Sequence, residues 1–248
     1  MIELKNVSCG YNDTNVIKDL SLTLQHGKIT AIIGANGCGK STLLKLICGQ
    51  LKPRQGEVLL ENNPVSSMKS AQIARKIAYL PQSRKIPDIT VESLVLHGRF
   101  PWTGYPRVYK NEDRNAAVSA MEKTGILHMK KKLIAALSGG ERQKAYIAMT
   151  LAQNTEYVLL DEPTTYLDIA YQLEFIELLN ILKSEGKTTA VVIHDINAAL
   201  DTADNIAVMK DGQILKTAVP ETILTSGVIE EAFNVKINTC ERIGFKSN

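Results

Sequence analysis

The stretch Gly34-Ala35-Asn36-Gly37-Cys38-Gly39-Lys40-Ser41 constrains this chain more than any other. It fits the spacing G-x-x-x-x-G-K-[ST] in full. The apolar run Lys28-Ile29-Thr30-Ala31-Ile32-Ile33 precedes it, and a helical pattern from Lys40 to Cys48 follows, with Gly49 placed to close it. A buried strand, a glycine-rich turn and a helix in that order make a cradle for phosphate oxygens. The glycines let the backbone curl, and the helix N-terminus adds partial positive charge. Lys40 is then placed to neutralise β/γ-phosphate charge, and the Ser41 hydroxyl to ligate Mg²⁺.

A second apolar strand, Tyr157-Val158-Leu159-Leu160, ends in Asp161-Glu162. A carboxylate at that strand end completes the Mg²⁺ shell of a phosphate-loop site, which assigns Asp161 to the metal. Glu162 comes next and can orient or deprotonate a water attacking the γ-phosphate. The two motifs together predict an ATPase or GTPase and leave those two open. A further segment, Leu137-Ser138-Gly139-Gly140-Glu141-Arg142-Gln143, reads as the start of a helix whose free N–H groups could hold a second anion.

The rest of the pattern is α/β. Strand-like alternation covers Ile2-Glu3-Leu4-Lys5 and Leu20–Leu24, with further strands at Glu57–Leu60, Ile77–Leu80 and Thr188–Ile193. Ile206–Met209 and Gln213–Lys216 form a hairpin around Asp211-Gly212. Val91 to His97, Glu112 to Lys123 and Glu141 to Ala152 read as helices with little strand between them. An amphipathic helix carries Ile169, Leu173, Ile176, Leu179 and Ile181 on its apolar stripe. The expected fold is one domain over residues 1–248. Its β-rich N-terminal part and nucleotide-binding core occupy 1–82 and 155–248, and an α-helical subdomain is inserted at 83–154.

Composition narrows the setting. The 248 residues are 44% hydrophobic and 22% charged, an ordinary globular balance, and the net charge of +3 is too small to point to nucleic acid. The basic run Lys130-Lys131-Lys132 reads as a solvated surface. No stretch approaches the roughly 18 apolar residues that span a bilayer, and Met1 to Tyr11 has no apolar secretory core, so a cytosolic protein is expected. Cys9, Cys38, Cys48 and Cys240 form no C-x-x-C pair, which predicts reduced thiols and no metal site beyond one brought by a nucleotide.

These motifs, in this order and over nearly the whole chain, resemble the ATP-binding subunits of ABC transporters. The resemblance implies further roles. Tyr11 matches the aromatic that stacks on adenine, although a tyrosine ending a strand serves packing equally well. Gln82, in Tyr79-Leu80-Pro81-Gln82, matches the glutamine that bonds Mg²⁺ or the attacking water. Ser138, Gly139, Gly140 and Glu141 resemble the ABC signature, which acts in trans on the ATP of a second copy in a head-to-tail dimer. Asp168 matches the D-loop aspartate, and His194 the switch histidine that holds the γ-phosphate. The implied ATP contacts are Gly34, Asn36, Gly37, Cys38, Gly39, Lys40, Ser41 and Thr42, with Mg²⁺ held through Ser41, Gln82 and Asp161.

A finer resemblance rests on Asp161-Glu162-Pro163-Thr164-Thr165-Tyr166-Leu167-Asp168-Ile169, on Ala148–Gln153 and on His97-Gly98-Arg99-Phe100-Pro101. These are similar to the branch that energises import of iron(III) chelates, including siderophores, with haem and cobalamin importers nearby. It implies two membrane-spanning permease partners, an external binding protein that delivers cargo, and a place on the cytoplasmic face of the membrane. No nucleic acid is expected, and the short stretch after Pro220–Leu224 and Glu230–Phe233 predicts no appended regulatory domain. Two other readings are a soluble ABC ATPase acting on ribosomes or nucleic acid, and a non-catalytic nucleotide-gated scaffold. The single cassette disfavours the first, and the presence of Glu162 and His194 the second.

Two stretches stay open at this level. Arg99 to Tyr109 holds the lone Trp102 and reads as a rigid surface loop, a docking surface for a membrane partner, or a stacking platform for bases. Cys38 sits beside Lys40 and a helix N-terminus, both of which favour a thiolate, yet it also reads as a small loop residue without special reactivity.

Overall fold

The structure, a computed structural model, describes residues 1–82, 86–164 and 169–236. The N-terminal part is a hairpin of β1 (Ile2–Tyr11) and β2 (Thr14–Leu24), followed by β3 (Ile29–Gly34) and α1 (Lys40–Ile47). Gly49 closes α1 with paired end bonds, its own N–H to the Leu46 carbonyl and that of Gln50 to Lys45. β4 (Gln55–Leu60), β5 (Asn63–Pro64), α2 (Ser70–Lys76) and β6 (Ile77–Leu80) follow. From there to β7 (Tyr157–Asp161) the described chain is helical apart from loops. It contains α3 (Val91–His97), α4 (Asn111–Lys123) and α5 (Gly139–Ala152). The remainder alternates: α6 (Ile169–Ser184), β8 (Thr188–Val192), α7 (Ile196–Thr202), β9 (Asn205–Lys210), β10 (Gln213–Ala218), α8 (Pro220–Thr225) and α9 (Val228–Phe233).

Two sheets result. One is four-stranded and antiparallel, in the order β2-β1-β4-β5; the other is six-stranded, in the order β10-β9-β3-β8-β7-β6. In the second sheet, β9, β3, β8, β7 and β6 all pair in parallel, and only β10 runs the other way. A parallel sheet must be covered on both faces, because its crossovers lay helices there. Side-chain alternation is consistent with this. Ile29, Ala31 and Ile33 of β3 join one core cluster with Val158, Leu160 and Val191. Ile32 joins the other with Leu159, Val192 and the α1 leucines Leu43, Leu44 and Leu46. The alternation has a period of two, with both faces dry.

The long helix α6 departs from its expected stripe. Its buried residues are Phe175, Leu178, Leu179 and Leu182, while Ile169 and Ile181 are exposed at 53% and 40%. This helix carries apolar residues around most of its circumference, so periodicity alone does not select a face; packing against β8 and α7 does.

The C-terminal end of α5 is pinned by the aromatic stretch. The guanidinium of Arg99 is buried, pairs with Asp113 at 2.9 Å and donates to the carbonyls of Ala152 and Gln153 at 2.9 and 3.3 Å. Trp102 Nε1 donates to the Gln153 carbonyl at 2.7 Å, and the guanidinium carbons of Arg75 and Arg99 lie 5.6 and 5.4 Å from its ring centroid. Phe100 stacks on Tyr109 at 6.0 Å, under Arg107. The stretch has its own aromatic cluster, and the indole of the lone tryptophan caps the end of α5.

Burial alone would raise the Asp113 carboxyl, but the Lys110 amide and the Arg99 guanidinium outweigh it and hold the group below its ordinary value. Its contribution to stability is therefore full above the ordinary carboxyl range and is lost as acidification passes through the lower folded value. Arg99→Ala would leave Asp113 buried and unpaired, and should cost about 3–5 kcal/mol. Thermal unfolding at neutral pH should show a midpoint lower by roughly 10 °C.

Candidate nucleotide site

Parallel pairing brings four strand ends to one edge of the sheet. β3 delivers the phosphate loop, β7 delivers Asp161 and Glu162, Gln82 follows β6, and His194 follows β8. The strands are in step, with Leu80 opposite Leu160 and Leu160 opposite Val191, so their C-terminal ends are level. Crevices at the carboxyl ends of such strands are where this class of sheet takes ligands.

The loop is built to wrap an anion. Gly39 precedes α1 as its N-cap, its φ of 109° suits glycine, and a Cβ there would stand 2.9 Å from Ile17 Cδ1. The β9–β10 turn braces the loop from outside, the Gly212 N–H donating to the Cys38 carbonyl at 3.0 Å. Lys40 is buried, and its ammonium is held by the carbonyls of Gly34 at 2.7 Å and Ala35 at 3.0 Å. A desolvated cation in such a loop attracts phosphate more strongly than one in water. A polar cavity of about 520 Å³ follows the loop from Asn36 past Gly37 to Thr42 and reaches Gln82, Glu162 and His194, with Val16 as an apolar wall.

Asp161 and Glu162 are adjacent in sequence but differently housed. Asp161 is buried, its Oδ1 accepting from Ser41 Oγ at 3.0 Å and its Oδ2 from Tyr79 Oη at 3.2 Å. Burial pushes its carboxyl up, and the bonds from Ser41 and Tyr79 oppose that. The Tyr79 hydroxyl is pushed far up by its own burial and by the Asp161 charge. A serine hydroxyl beside a carboxylate is the hard-oxygen donor set that Mg²⁺ favours when phosphate and water complete its shell, so these residues fit the ion.

Glu162 sits at φ 50°, a left-handed conformation that costs a non-glycine residue about 1–3 kcal/mol and that recurs at functional sites. Its carboxylate is gripped on both oxygens. Gln82 Nε2 donates to Oε2 at 2.6 Å, and His194 Nε2 lies 2.7 Å from Oε1. His194 is steadied by its neighbour Asp195, which caps α7 by accepting from the N–H groups of Asn197 and Ala198. Gln82 and His194, expected at the metal or water and at the γ-phosphate, thus both bond Glu162 here.

Other expected residues lie elsewhere. Tyr11 ends β1, is 44% exposed, and holds its ring 5.9 Å from Lys45 Nζ on α1, outside the lining of the cavity. Asp168 lies outside the described residues. The signature segment opens α5, and none of its residues lines the cavity along the phosphate loop. Ser138 caps it, accepting from the Glu141 N–H, while the Glu141 side chain accepts from the Ser138 N–H at 2.8 Å. That reciprocal box leaves the N–H groups of Gly139 and Gly140 unbonded among the described residues. The Glu141 carboxyl is lowered by its bond from the Ser138 amide.

The ABC transporter family profile matches residues 17–165, more than half of the chain. This chain belongs to the ABC transporter family. Among curated relatives of the ABC subunit, the petrobactin import ATP-binding protein FpuD of Bacillus anthracis is 41% identical, over 95% of this chain and 87% of its own. The iron(3+)-hydroxamate import ATP-binding protein FhuC of Bacillus subtilis is 40% identical, over 94% and 88%. Among solved structures, an inward-facing putative metal-chelate type ABC transporter matches with a TM-score of 0.81 and 30% identity, over 94% and 88%. A dimeric ATP-binding cassette in a post-hydrolysis state with ADP and Pi matches at 0.78 and 29%, over 89% and 99%. Family membership resolves the nucleotide left open by the motifs: the ABC subunit is an ATPase.

Three contacts escape a reading of motifs. Val16 walls the cavity, the Tyr79 hydroxyl holds Asp161, and Gln143 Nε2 donates to the Pro163 carbonyl at 2.6 Å. Tyr79 alone left a signal, a hydroxyl on a short apolar strand three residues before Gln82.

For Cys38 the structure decides between the two readings. Its thiol is 7% exposed, and burial pushes it up despite the opposing charge of Lys40. Cys9 is likewise raised by burial, and Cys48 is pushed up to about 11. Less thiolate at all three, and little access at the buried Cys9 and Cys38, mean slow alkylation. Mass spectrometry after iodoacetamide treatment at pH 8 should find Cys9, Cys38 and Cys48 largely unmodified in the native ABC subunit and rapidly modified in denaturant. Selective labelling of native Cys38 would contradict this.

Proposed function

We propose that this chain is the ATP-hydrolysing subunit of an importer that energises uptake of an iron(III) chelate of the siderophore class. The relatives named for petrobactin and iron(3+)-hydroxamate import support the cargo class. No described helix is long and apolar enough to cross a membrane. We place the subunit at the cytoplasmic face of the cell membrane, docked on two permease subunits and fed by an external binding protein. Residues 83–154 form the inserted helical part, and 1–82 with 155–248 the nucleotide-binding core.

The observation that carries the reading is the convergence of a buried lysine, a paired serine and aspartate, and a doubly held glutamate at one sheet edge. Lys40 and the loop amides of Gly37 to Thr42 bind the ATP phosphates. Ser41 and Asp161 would hold Mg²⁺, and Gln82, once its amide left Glu162, would join them. When bound, Mg²⁺ would supply neutralisation of the phosphate charge. Glu162 accepts a proton from the attacking water, and His194 orients that carboxylate and can turn its imidazole to the γ-phosphate. Tyr11 offers its exposed face to the adenine. Ser138, Gly139, Gly140 and Glu141, with Asp168, act on the nucleotide of a second, head-to-tail copy, so that two chains close around ATP and reopen after its hydrolysis.

Glu162→Gln keeps the bond from Gln82 and removes the base. Its kcat should fall by about 10²- to 10⁴-fold while ATP-dependent dimers accumulate in size-exclusion chromatography. Undiminished hydrolysis would remove Glu162 as the base. Ser138→Arg should leave binding of a fluorescent ATP analogue within twofold and abolish hydrolysis. Uptake of radioactive iron(III) chelates by vesicles carrying the complete transporter tests the cargo.

A further inference from the structure

The first turn of α5 has its proposed role, but the residue that follows it does not. On α5, Gly140 shares a face with Lys144, four residues on, and Gln143, three residues after Gly140, borders it. That face lies on α6. A Cβ at Gly140 would stand 2.7 Å from Tyr171 Cε2 and 2.9 Å from Cζ, so the tyrosine ring rests directly on the glycine backbone. Lys144 continues the contact, its ammonium 4.4 Å from the centroid of the same ring and paired with Glu174. Beside this contact the Gln143 side chain leaves α5 and donates from Nε2 to the carbonyl oxygen of Pro163 at 2.6 Å. Pro163 is buried and covalently follows Glu162, the residue strained into a left-handed turn. Proline has no N–H, so this carbonyl is the polar group through which the turn can be held from outside.

We propose that Gln143 is a positioning residue that joins the two halves of ATP chemistry carried by one chain. The inference rests on the reading that the signature acts in trans. On that reading each chain offers its signature turn to the partner's nucleotide and its Glu162 to its own. The Gln143 bond makes the signature helix and the Glu162 turn one body. When Ser138 and the two glycines seat against the partner's phosphate, the movement of α5 is carried through Gln143 to Pro163, and so to the carboxylate of the other site. The two sites then fire as a coupled pair. Gly140 contributes by its lack of a side chain, because only a bare α-carbon lets α5 lie this close to Tyr171.

The test uses the full chain as a dimer, in its transporter complex where one is assembled. Gln143→Met keeps the side-chain length and removes the donor; Gln143→Lys keeps a donor. Hydrolysis is followed against ATP concentration, binding with a fluorescent ATP analogue, and folding by thermal denaturation. Gln143→Met should bind ATP within twofold of the parent and unfold within a few degrees of it. Its Hill coefficient should drop from near 2 toward 1, and its kcat should fall about ten- to a hundredfold. Gln143→Lys should recover the Hill coefficient. Parental cooperativity and kcat in Gln143→Met would overturn the proposal. Equal losses in both variants, matched by equal loss of thermal stability, would overturn it too, by reducing Gln143 to a packing role. Ser138→Arg in the same assay separates the layers. Full hydrolysis there would sink the trans reading itself, whereas abolished hydrolysis beside an unaffected Gln143→Met would sink only the tie.

Discussion

Parallel pairing of the central strands is the constraint on which the rest of this structure depends. In a parallel sheet every strand starts on one side and ends on the other, so β3, β6, β7 and β8 have no choice but to finish together. Chemistry that would take a long, improbable loop arrangement elsewhere is here obtained by extending each strand by a residue or two. The register is strict: a slip of one residue would exchange the two faces of a strand, and both faces are buried against separate clusters. Catalytic geometry and core packing are therefore specified by the same hydrogen bonds.

The same alternation explains why two neighbouring carboxylates can do different work. Asp161 is still in the strand, on the side shared with Leu159 and Tyr79, buried and tied to a serine and a phenol. Glu162 has left the strand through a strained turn and is held by an amide and an imidazole. One environment suits a fixed charge beside a cation, the other a group that exchanges a proton with water. The difference arises from backbone direction, since the two residues differ by only a methylene.

Much of this could be read before any coordinate. Strand, turn and helix around Gly34 to Ser41, the apolar strand into Asp161-Glu162, and the helical run Val91 to His97 stand where their patterns put them. What escaped reading depends on contacts between distant segments. The stripe on α6 was misplaced because that helix is apolar nearly all round, so only its neighbours define an inner face. Gln82 and His194 are separated by more than a hundred residues, and nothing local reveals that both close on one carboxylate. For Cys38 the sequence left a reactive and an unreactive thiol open, and the desolvation that separates them is a property of the packed loop.

The fastening of α5 has a mechanical side. Its 14 residues make a rod about 21 Å long. At the far end Arg99 and Trp102 clamp its last carbonyls, and at the near end Ser138 and Glu141 lock its first turn. A helix anchored at one tip and closed on itself at the other behaves as a stiff rod. A displacement of the Arg99 loop along this axis would be felt at Gly139, at the opposite tip of the rod.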